Sequence, residues 1–445
     1  MASVDIANTN GVSQAGFHSV GESQPPIDST SRPTHPAAVC PFCALLCDDL
    51  VLTRLTNLSF AIPRNGCRRA TVDFARAPLT PIPRMAGRET SLDNAVRAAA
   101  HLLRRARQAL FGGLATDVDG MRAAILLAER CGATLDHAHG ETLAAMTRLL
   151  QTRGWYAATL SELRNRADLV VLIGVDLADR YENLTRRCLR PAQTLDAETL
   201  AARRIVYLGP TPPGAMVSGC AALKCSSAAI VDVLRAVLAA LKQPTLTVVR
   251  AGGLSANKIA TLVASLRAAR YTTLAFAPGA LPAPRDPALA LLCEIVDELN
   301  RSGRAALLPL GGDDGGQTAV NTCAWLTGYP LRLSYGVTID YQPTSNATAR
   351  LLDGGGADAL LWIDAYGRLG ELPAKARLAS SIVLGASRNA RSDRAAVFIP
   401  VGTPGLDHAA RLVRTDGVVS LALQAQRDSG LPSVATVLSA IEAQL

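Results

Sequence analysis

Cys40, Cys43, Cys47 and Cys67 stand in a C-x2-C-x3-C-x19-C array, whereas the remaining cysteines of the chain occur singly. Three of the four share one tight loop, Cys-Pro-Phe-Cys-Ala-Leu-Leu-Cys-Asp-Asp. The fourth returns on Asn-Gly-Cys-Arg-Arg after a short apolar run. Four thiolates so spaced can converge on one centre, and both tetrahedral zinc and a [4Fe–4S] cluster accept four of them. Disulfides or four unrelated core cysteines are the bland alternatives, and four in register favour a metal. Bound metal contributes on the order of 10 kcal/mol to folding a small module. Ligand count alone leaves zinc and iron–sulfur equal.

A second candidate is His137-Ala138-His139, which has the H-x-H form of hydrolytic zinc sites. Such a site needs further ligands, and the other histidines lie elsewhere: His18 and His35 near the N-terminus, His101 in an expected helix, His408 near the tail. The pair therefore reads as structural. Gly112-Gly113, Gly252-Gly253 and Gly311-Gly312 end expected strands, where α/β sheets open ligand crevices. None completes a dinucleotide fingerprint, and tight turns explain them equally well.

The elements that must position these residues follow from composition and periodicity. The chain has 445 residues, 49% of them apolar, enough for about two or three domains. No apolar stretch reaches the roughly 20 residues of a membrane helix, and the N-terminal stretch lacks the apolar core of a signal peptide. A cytoplasmic location with reduced thiols is expected. The net charge of +8 comes from arginine, since Lys224, Lys242, Lys258 and Lys375 are the only lysines. Pairs such as Arg68-Arg69, Arg104-Arg105, Arg186-Arg187 and Arg203-Arg204 could hold carboxylate or phosphate, though singly each reads as solvated surface. Few aromatics, no recognition motif and no dense basic run argue against nucleic acid as the partner.

Residues 1–36, rich in Ser, Pro, Asn and Gly, are expected to form a flexible arm. Residues 37–84 form the four-cysteine module, ending in a proline-rich stretch. Alternating strands and helices then predict two doubly wound parallel-sheet domains, 85–244 and 245–403. In the first, helices are expected from Thr90-Ser91 to Arg107 and from Met121 to Arg130, with strands Ala109 to Leu114, Ala167 to Val175 and Arg203 to Gly209. In the second, strands are expected at Thr245 to Arg250, Tyr271 to Pro278, Ala305 to Leu310, Ala357 to Ala365, Ser381 to Gly385 and Ala396 to Val401. Helices are expected at Ser255 to Ala269 and Asp286 to Arg301. Residues 404–445 form a tail in which Asp416-Gly417 and the following Val-Val-Ser-Leu-Ala-Leu predict a strand or hairpin.

The order of these pieces resembles the molybdopterin/tungstopterin oxidoreductases, and within them the B-subunit family of formylmethanofuran dehydrogenase. The resemblance is carried by the cysteine array with Asp48-Asp49 behind it, Asn65-Gly66-Cys67, the segment Thr159 to Asp168, Trp325-Leu-Thr-Gly-Tyr-Pro330 and the closing Arg414-Thr-Asp-Gly-Val. It covers the chain from about residue 37 onward. In the resembled dehydrogenase a cysteine or selenocysteine before a His-Gly pair ligates tungsten or molybdenum; here Ala138 precedes His139-Gly140, and a methyl group cannot ligate a metal. Where the pterin-binding turns would stand, the chain reads Gly-Pro-Thr-Pro-Pro-Gly from Gly209 and Gly-Ala-Ser-Arg from Gly385. In the first of these the prolines remove N–H donors of the kind that bind pyrophosphate. The resemblance also gives Arg285 the place of an active-site arginine.

A member of this family without its redox metal resembles the B subunits of bacterial formyltransferase/hydrolase complexes. That resemblance implies a redox-silent, structural role with no tungsten or molybdenum pterin. It implies A (amidohydrolase-type), C and D (formyltransferase) partners that convert formyl-tetrahydromethanopterin to formate through a furan-type carrier. An acidic, glutamate-bearing carrier would suit the arginine excess. Two other readings stay open at this point: an active pterin-dependent dehydrogenase component, and an independent zinc hydrolase.

Overall fold

The computed structural model describes residues 37–212, 217–245 and 250–445. The expected arm, most of the expected strand Thr245 to Arg250 and the end of the Gly209 turn lie outside the described residues. Residues 37–445 form one compact unit.

After the cysteine loop come the short antiparallel strands β1 (Val51–Arg54) and β2 (Phe60–Arg64). Next are β3 (Arg84–Met85), β4 (Arg88–Glu89), β5 (Ala109–Ala115) and β6 (Thr134–Leu135). A second group holds β7 (Leu169–Ile173), β8 (Arg204–Gly209), β9 (Cys220–Lys224), the small hairpin of β10 (Arg250–Ala251) and β11 (Leu254–Ser255), β12 (Tyr271–Phe276) and β13 (Arg304–Pro309). The chain then makes β14 (Leu333–Tyr335), β15 (Ile339–Tyr341), β16 (Ala359–Asp364), β17 (Ser381–Gly385) and β18 (Val397–Pro400). It closes with the hairpin β19 (Ala410–Val413) and β20 (Ser420–Leu423), and a helix, Val434–Glu442.

Two sheets organise these strands. A five-stranded, wholly parallel sheet runs β13-β12-β7-β8-β9. A nine-stranded sheet runs β15-β14-β6-β5-β16-β17-β18-β3-β4, parallel from β6 to β18 and antiparallel at both flanks. The central parallel strands are buried apolar runs, Leu-Val-Val-Leu-Ile in β7 for example, because both faces of the sheet are covered, whereas the edge strand β9 is exposed at most positions. Each sheet reverses winding direction beside its first long parallel strand, between β7 and β12 in one and between β5 and β16 in the other. Such reversals open crevices at the carboxyl ends of strands.

The expected boundary between residues 244 and 245 does not coincide with a division between sheets. The five-stranded sheet takes three strands from before it and two from after it, and the nine-stranded sheet likewise straddles it. Helical and strand periodicity fixes elements but not which sheet a strand joins, so a composition break at Gln243-Pro244 was a poor guide.

Local chemistry sets the element ends. Ser91 and Asp117 accept the N–H groups of Asn94 and Gly120 as caps of the helices Leu92–Arg105 and Val118–Cys131, and Gly132 ends the latter in the left-handed conformation. Thr159 and Glu162 form a reciprocal capping box. Gly113, at φ 74°, lies where an added Cβ would come within 2.5 Å of the Ile363 carbonyl oxygen, so β5 and β16 pack this closely only without a side chain there.

Candidate functional site

The cysteine loop closes on itself. Ala38 bridges Leu50, Cys40 N–H donates to the Cys47 carbonyl at 2.8 Å, and Leu46 N–H donates to the Cys43 carbonyl at 3.1 Å. Cys67 caps the helix Arg68–Phe74, its Sγ accepting the Ala70 N–H at 3.4 Å, and Asn183 Nδ2 reaches Cys47 Sγ at 3.7 Å. Phe42 packs edge-on against Phe74 with ring centroids 5.1 Å apart. All four cysteines lie in one apolar cluster with residues of the five-stranded sheet, and all are free thiols.

Burial raises the thiols of Cys40 and Cys43 well above their ordinary range, with neighbouring thiols adding to it. Cys47 is pushed up to about 11 by burial, against the pull of the Arg187 guanidinium. Each of the three responds to its neighbours, so the array that the sequence groups is also grouped in space. The sulfurs are not drawn into a ligating set: among the described residues no group of three or more His, Cys, Asp or Glu is arranged to hold a metal ion. The donor chemistry nevertheless suits a thiophilic centre, since four uncrosslinked thiols belong to or pack against one apolar cluster, with N–H donors aimed at two of them.

An acid pair that spacing alone did not reveal ties this loop to the rest of the molecule. Asp313 and Asp314 follow β13 within Gly-Gly-Asp-Asp-Gly-Gly, and both are buried. Asp313 accepts the Ala44 N–H at 3.0 Å and pairs with Arg69 at 3.3 Å and Arg180 at 2.6 Å. Asp314 accepts from His139 Nε2 at 2.9 Å and pairs with Arg368 at 3.4 Å, and Arg368 also pairs with buried Asp73. Burial opposes ionisation of Asp314, yet the His139 bond and the nearby arginines hold its carboxyl below the usual range. Two acids inside a glycine-rich strand end, where a crevice opens, were the signal that could have found them.

The two histidines of His137-Ala138-His139 both turn to this pair: His137 Nε2 meets the Asp314 carbonyl at 3.1 Å, and the His139 backbone N–H donates to His137 Nδ1 at 3.0 Å. Burial, with His139 adding, pushes His137 down to about 3. Their rings serve a hydrogen-bond network that includes the Asp314 carboxylate, and among the described residues these groups are not arranged to hold a metal ion. Ala138 is exposed, its N–H held by the Gly113 carbonyl. Arg285 is half-buried and donates from Nε to the Pro278 carbonyl at 3.0 Å.

A cavity of about 330 Å³ opens at the carboxyl ends of β12 and β13. The helices Gly140–Thr152 and Gly316–Thr327 and the turn Thr415 to Val418 complete it, so it lies in the seam between the sheets. His139 and Arg180 are in its wall, whereas Ala138 and Arg285 are not.

Several of the paired arginines are engaged within the chain. Arg186 and Arg187 both hold Asp49 at 2.7 Å, and Arg187 holds Asp48 at 2.5 Å, which fastens the Asp-Asp behind the cysteines. Burial works against Asp49, but the two guanidiniums keep its carboxyl below its ordinary range. Arg203 is buried and donates to the carbonyls of Ala167, Cys188, Leu189 and Arg164.

A doubly wound pair of sheets with a cysteine loop on one face defines an α/β protein of the kind that keeps its chemistry at a sheet seam. No protein-family model matches the chain. It is 30% identical over 327 residues to the Fhc B subunit of the formyltransferase/hydrolase complex of Methylorubrum extorquens, spanning 72% of this chain and 84% of that one. It is 25% identical over 346 residues to the B subunit of the tungsten-containing formylmethanofuran dehydrogenase 2 of Methanocaldococcus jannaschii, 73% of this chain and 77% of that one. A chain in the crystal structure of the formyltransferase/hydrolase complex (FhcABCD) from Methylorubrum extorquens in complex with methylofuran superposes with a TM-score of 0.69 at 27% identity. That match covers 81% of this chain and 98% of the other. The chain belongs to the family of formyltransferase/hydrolase complex B subunits. Among the described residues no helix is long and apolar enough to cross a membrane.

Proposed function

We propose that this chain is the redox-silent B subunit of a cytoplasmic formyltransferase/hydrolase complex. In that assembly it scaffolds A, C and D subunits that carry formyl groups from formyl-tetrahydromethanopterin through a furan-type carrier to formate. The observation that carries the reading is residue 138. Ala138, before His139-Gly140, carries a methyl group, and its N–H is bonded to the Gly113 carbonyl, so its side chain presents no thiolate or selenolate to ligate tungsten or molybdenum. His139, beside it, is held by Asp314. The likeness to tungsten-containing dehydrogenase B subunits keeps a pterin-dependent reading as the alternative, at lower identity.

The four cysteines, in this reading, hold one structural centre, zinc or [4Fe–4S]. Metal there would crosslink the loop of Cys40 to Cys47 to Cys67 at the start of the helix Arg68–Phe74, and uptake must displace protons from thiols that burial keeps protonated. The test is elemental analysis by plasma mass spectrometry, with acid-labile sulfide, on the anaerobically purified complex and on this chain separated from it. The expected result is no tungsten or molybdenum on this chain, and about one zinc or about four irons lost in Cys40→Ser and Cys67→Ser. Tungsten or molybdenum bound to this chain would overturn the redox-silent reading. Metal retained in both serine variants would overturn the cysteine assignment.

A further inference from the structure

We propose that the seam cavity is a binding site for a small aromatic carboxylate, its ring system on the apolar wall and its carboxylate on the guanidinium of Arg180. The inference goes beyond the scaffold reading and holds whether or not the cysteine loop is loaded with metal. Three features of the cavity carry it.

The first is Arg180. Its Nε is committed to Asp313 at 2.6 Å, but its two terminal nitrogens have no hydrogen-bond partner among the described residues, and the side chain lines the cavity with 37% of its surface exposed. Fixed through Nε and with its ends free, a guanidinium offers a pre-oriented fork for a carboxylate.

The second is the field. The carboxylates nearest the cavity are already neutralised: Asp313 by Arg69 and Arg180, Asp314 by His139 and Arg368, Asp416 by Arg414 at 2.6 Å and the Leu160 N–H at 3.1 Å. An entering anion therefore meets no free negative charge in that wall. The helices Gly140–Thr152 and Gly316–Thr327 both begin at the cavity, and their positive ends add to the same preference.

The third is shape. Leu143, Met146, Leu150, Trp155 and Val320 form one apolar side, while Gln317 and Asn321 are bonded to each other at 2.9 Å. At about 330 Å³ the cavity is roughly twice the size of an engineered apolar cavity that holds benzene, which suits a bicyclic ring. Apolar walls with a few convergent polar groups are the usual make-up of a small-molecule site.

The probes are 2-naphthoate and its neutral counterpart 2-naphthamide, titrated calorimetrically into the full chain in its native assembly. Expected is saturable binding of 2-naphthoate, with the amide about tenfold weaker or more. Arg180→Gln should bring the two probes level, and Met146→Trp, which fills the cavity and leaves every partner of Asp313 in place, should abolish both. Met146→Trp settles the location even if Arg180→Gln fails to accumulate. Equal affinity for the two probes in the wild type, no saturable naphthoate binding, or undiminished binding in Met146→Trp would each refute the assignment.

Discussion

Replacing Asp313 with alanine should loosen the cysteine loop without unfolding the molecule. The Asp313 side chain is wholly buried, and its two oxygens serve the Ala44 N–H, Arg69 and Arg180. Removing one member of a buried ion pair costs about 3–5 kcal/mol, because the partner charge stays behind without compensation. Arg180 keeps 37% of its side chain exposed, so water takes up part of its loss, whereas Arg69 keeps only 14%. About 3 kcal/mol then falls on Arg69 and the Ala44 N–H. If that cost is met by local opening, amide exchange across residues 40–47 should accelerate by about 100-fold, since each 1.4 kcal/mol is a factor of ten. Asparagine at 313 keeps the bond to Ala44 and loses the charge, so about a tenfold acceleration is expected. Hydrogen–deuterium exchange with peptide-level mass spectrometry reads both, with β8 and β9 as internal controls. Unchanged protection of 40–47 in Asp313→Ala, or equal loss in every strand, would show that the acid pair does not anchor the loop.

Other residues give contrasting expectations. His137 titrates near 6.5 when unfolded and near 3 in the fold, so the unfolded chain binds the extra proton between those values and stability falls as pH drops through that window. At about 1.4 kcal/mol per pH unit, the wild type should lose about 2 kcal/mol relative to His137→Gln between pH 6.5 and pH 5; parallel urea midpoints for the two proteins would refute this. Arg427 is buried with Asp407 and donates to the carbonyls of Leu58 and Arg76, so Arg427→Met should cost about 3–5 kcal/mol in thermal denaturation. Arg68, whose pair with Asp179 is exposed on both sides, should cost less than about 1 kcal/mol on the same change. Near-equal melting of the two variants would mean that burial is not what separates these pairs. Gly113→Ala forces a Cβ against the Ile363 carbonyl at positive φ and should destabilise by about 3 kcal/mol or more, checked by the same melts.

The elements were legible where their chemistry is local. The short β-branched apolar run from Ala167 to Val175 is typical of a buried parallel strand and holds β7, and Ser91 marks its helix start by a bond to Asn94 three residues on. The hairpin closing at Asp416-Gly417 was equally plain from its turn residues and alternation. The arrangement of the sheets was not, because β5 and β16 pair across more than two hundred residues and nothing in either strand names its partner. The same limit governs the site. The cysteines announce themselves by spacing, but Asp313 acquires its meaning from Ala44, Arg69 and Arg180, three positions remote in sequence. Arg186 and Arg187 read in the sequence as solvated surface, yet Asp48 and Asp49 occupy them. Charge counted along a chain does not reveal which charges are already spoken for.

The interleaving of the sheets has a consequence for how the chain is made. The five-stranded sheet is complete once residues 169–309 have left the ribosome, but the nine-stranded sheet holds strands from residues 84–135 that must wait for residues 359–400. Until then β5, buried along its whole length in the finished molecule, has no β16 to cover one edge. Each nascent chain therefore carries an open apolar strand edge through much of its synthesis, and a chain cut short near residue 330 carries it permanently, a ready template for aggregation. A chain ending near residue 330 should therefore be recovered in the insoluble fraction under conditions that leave the full-length protein soluble.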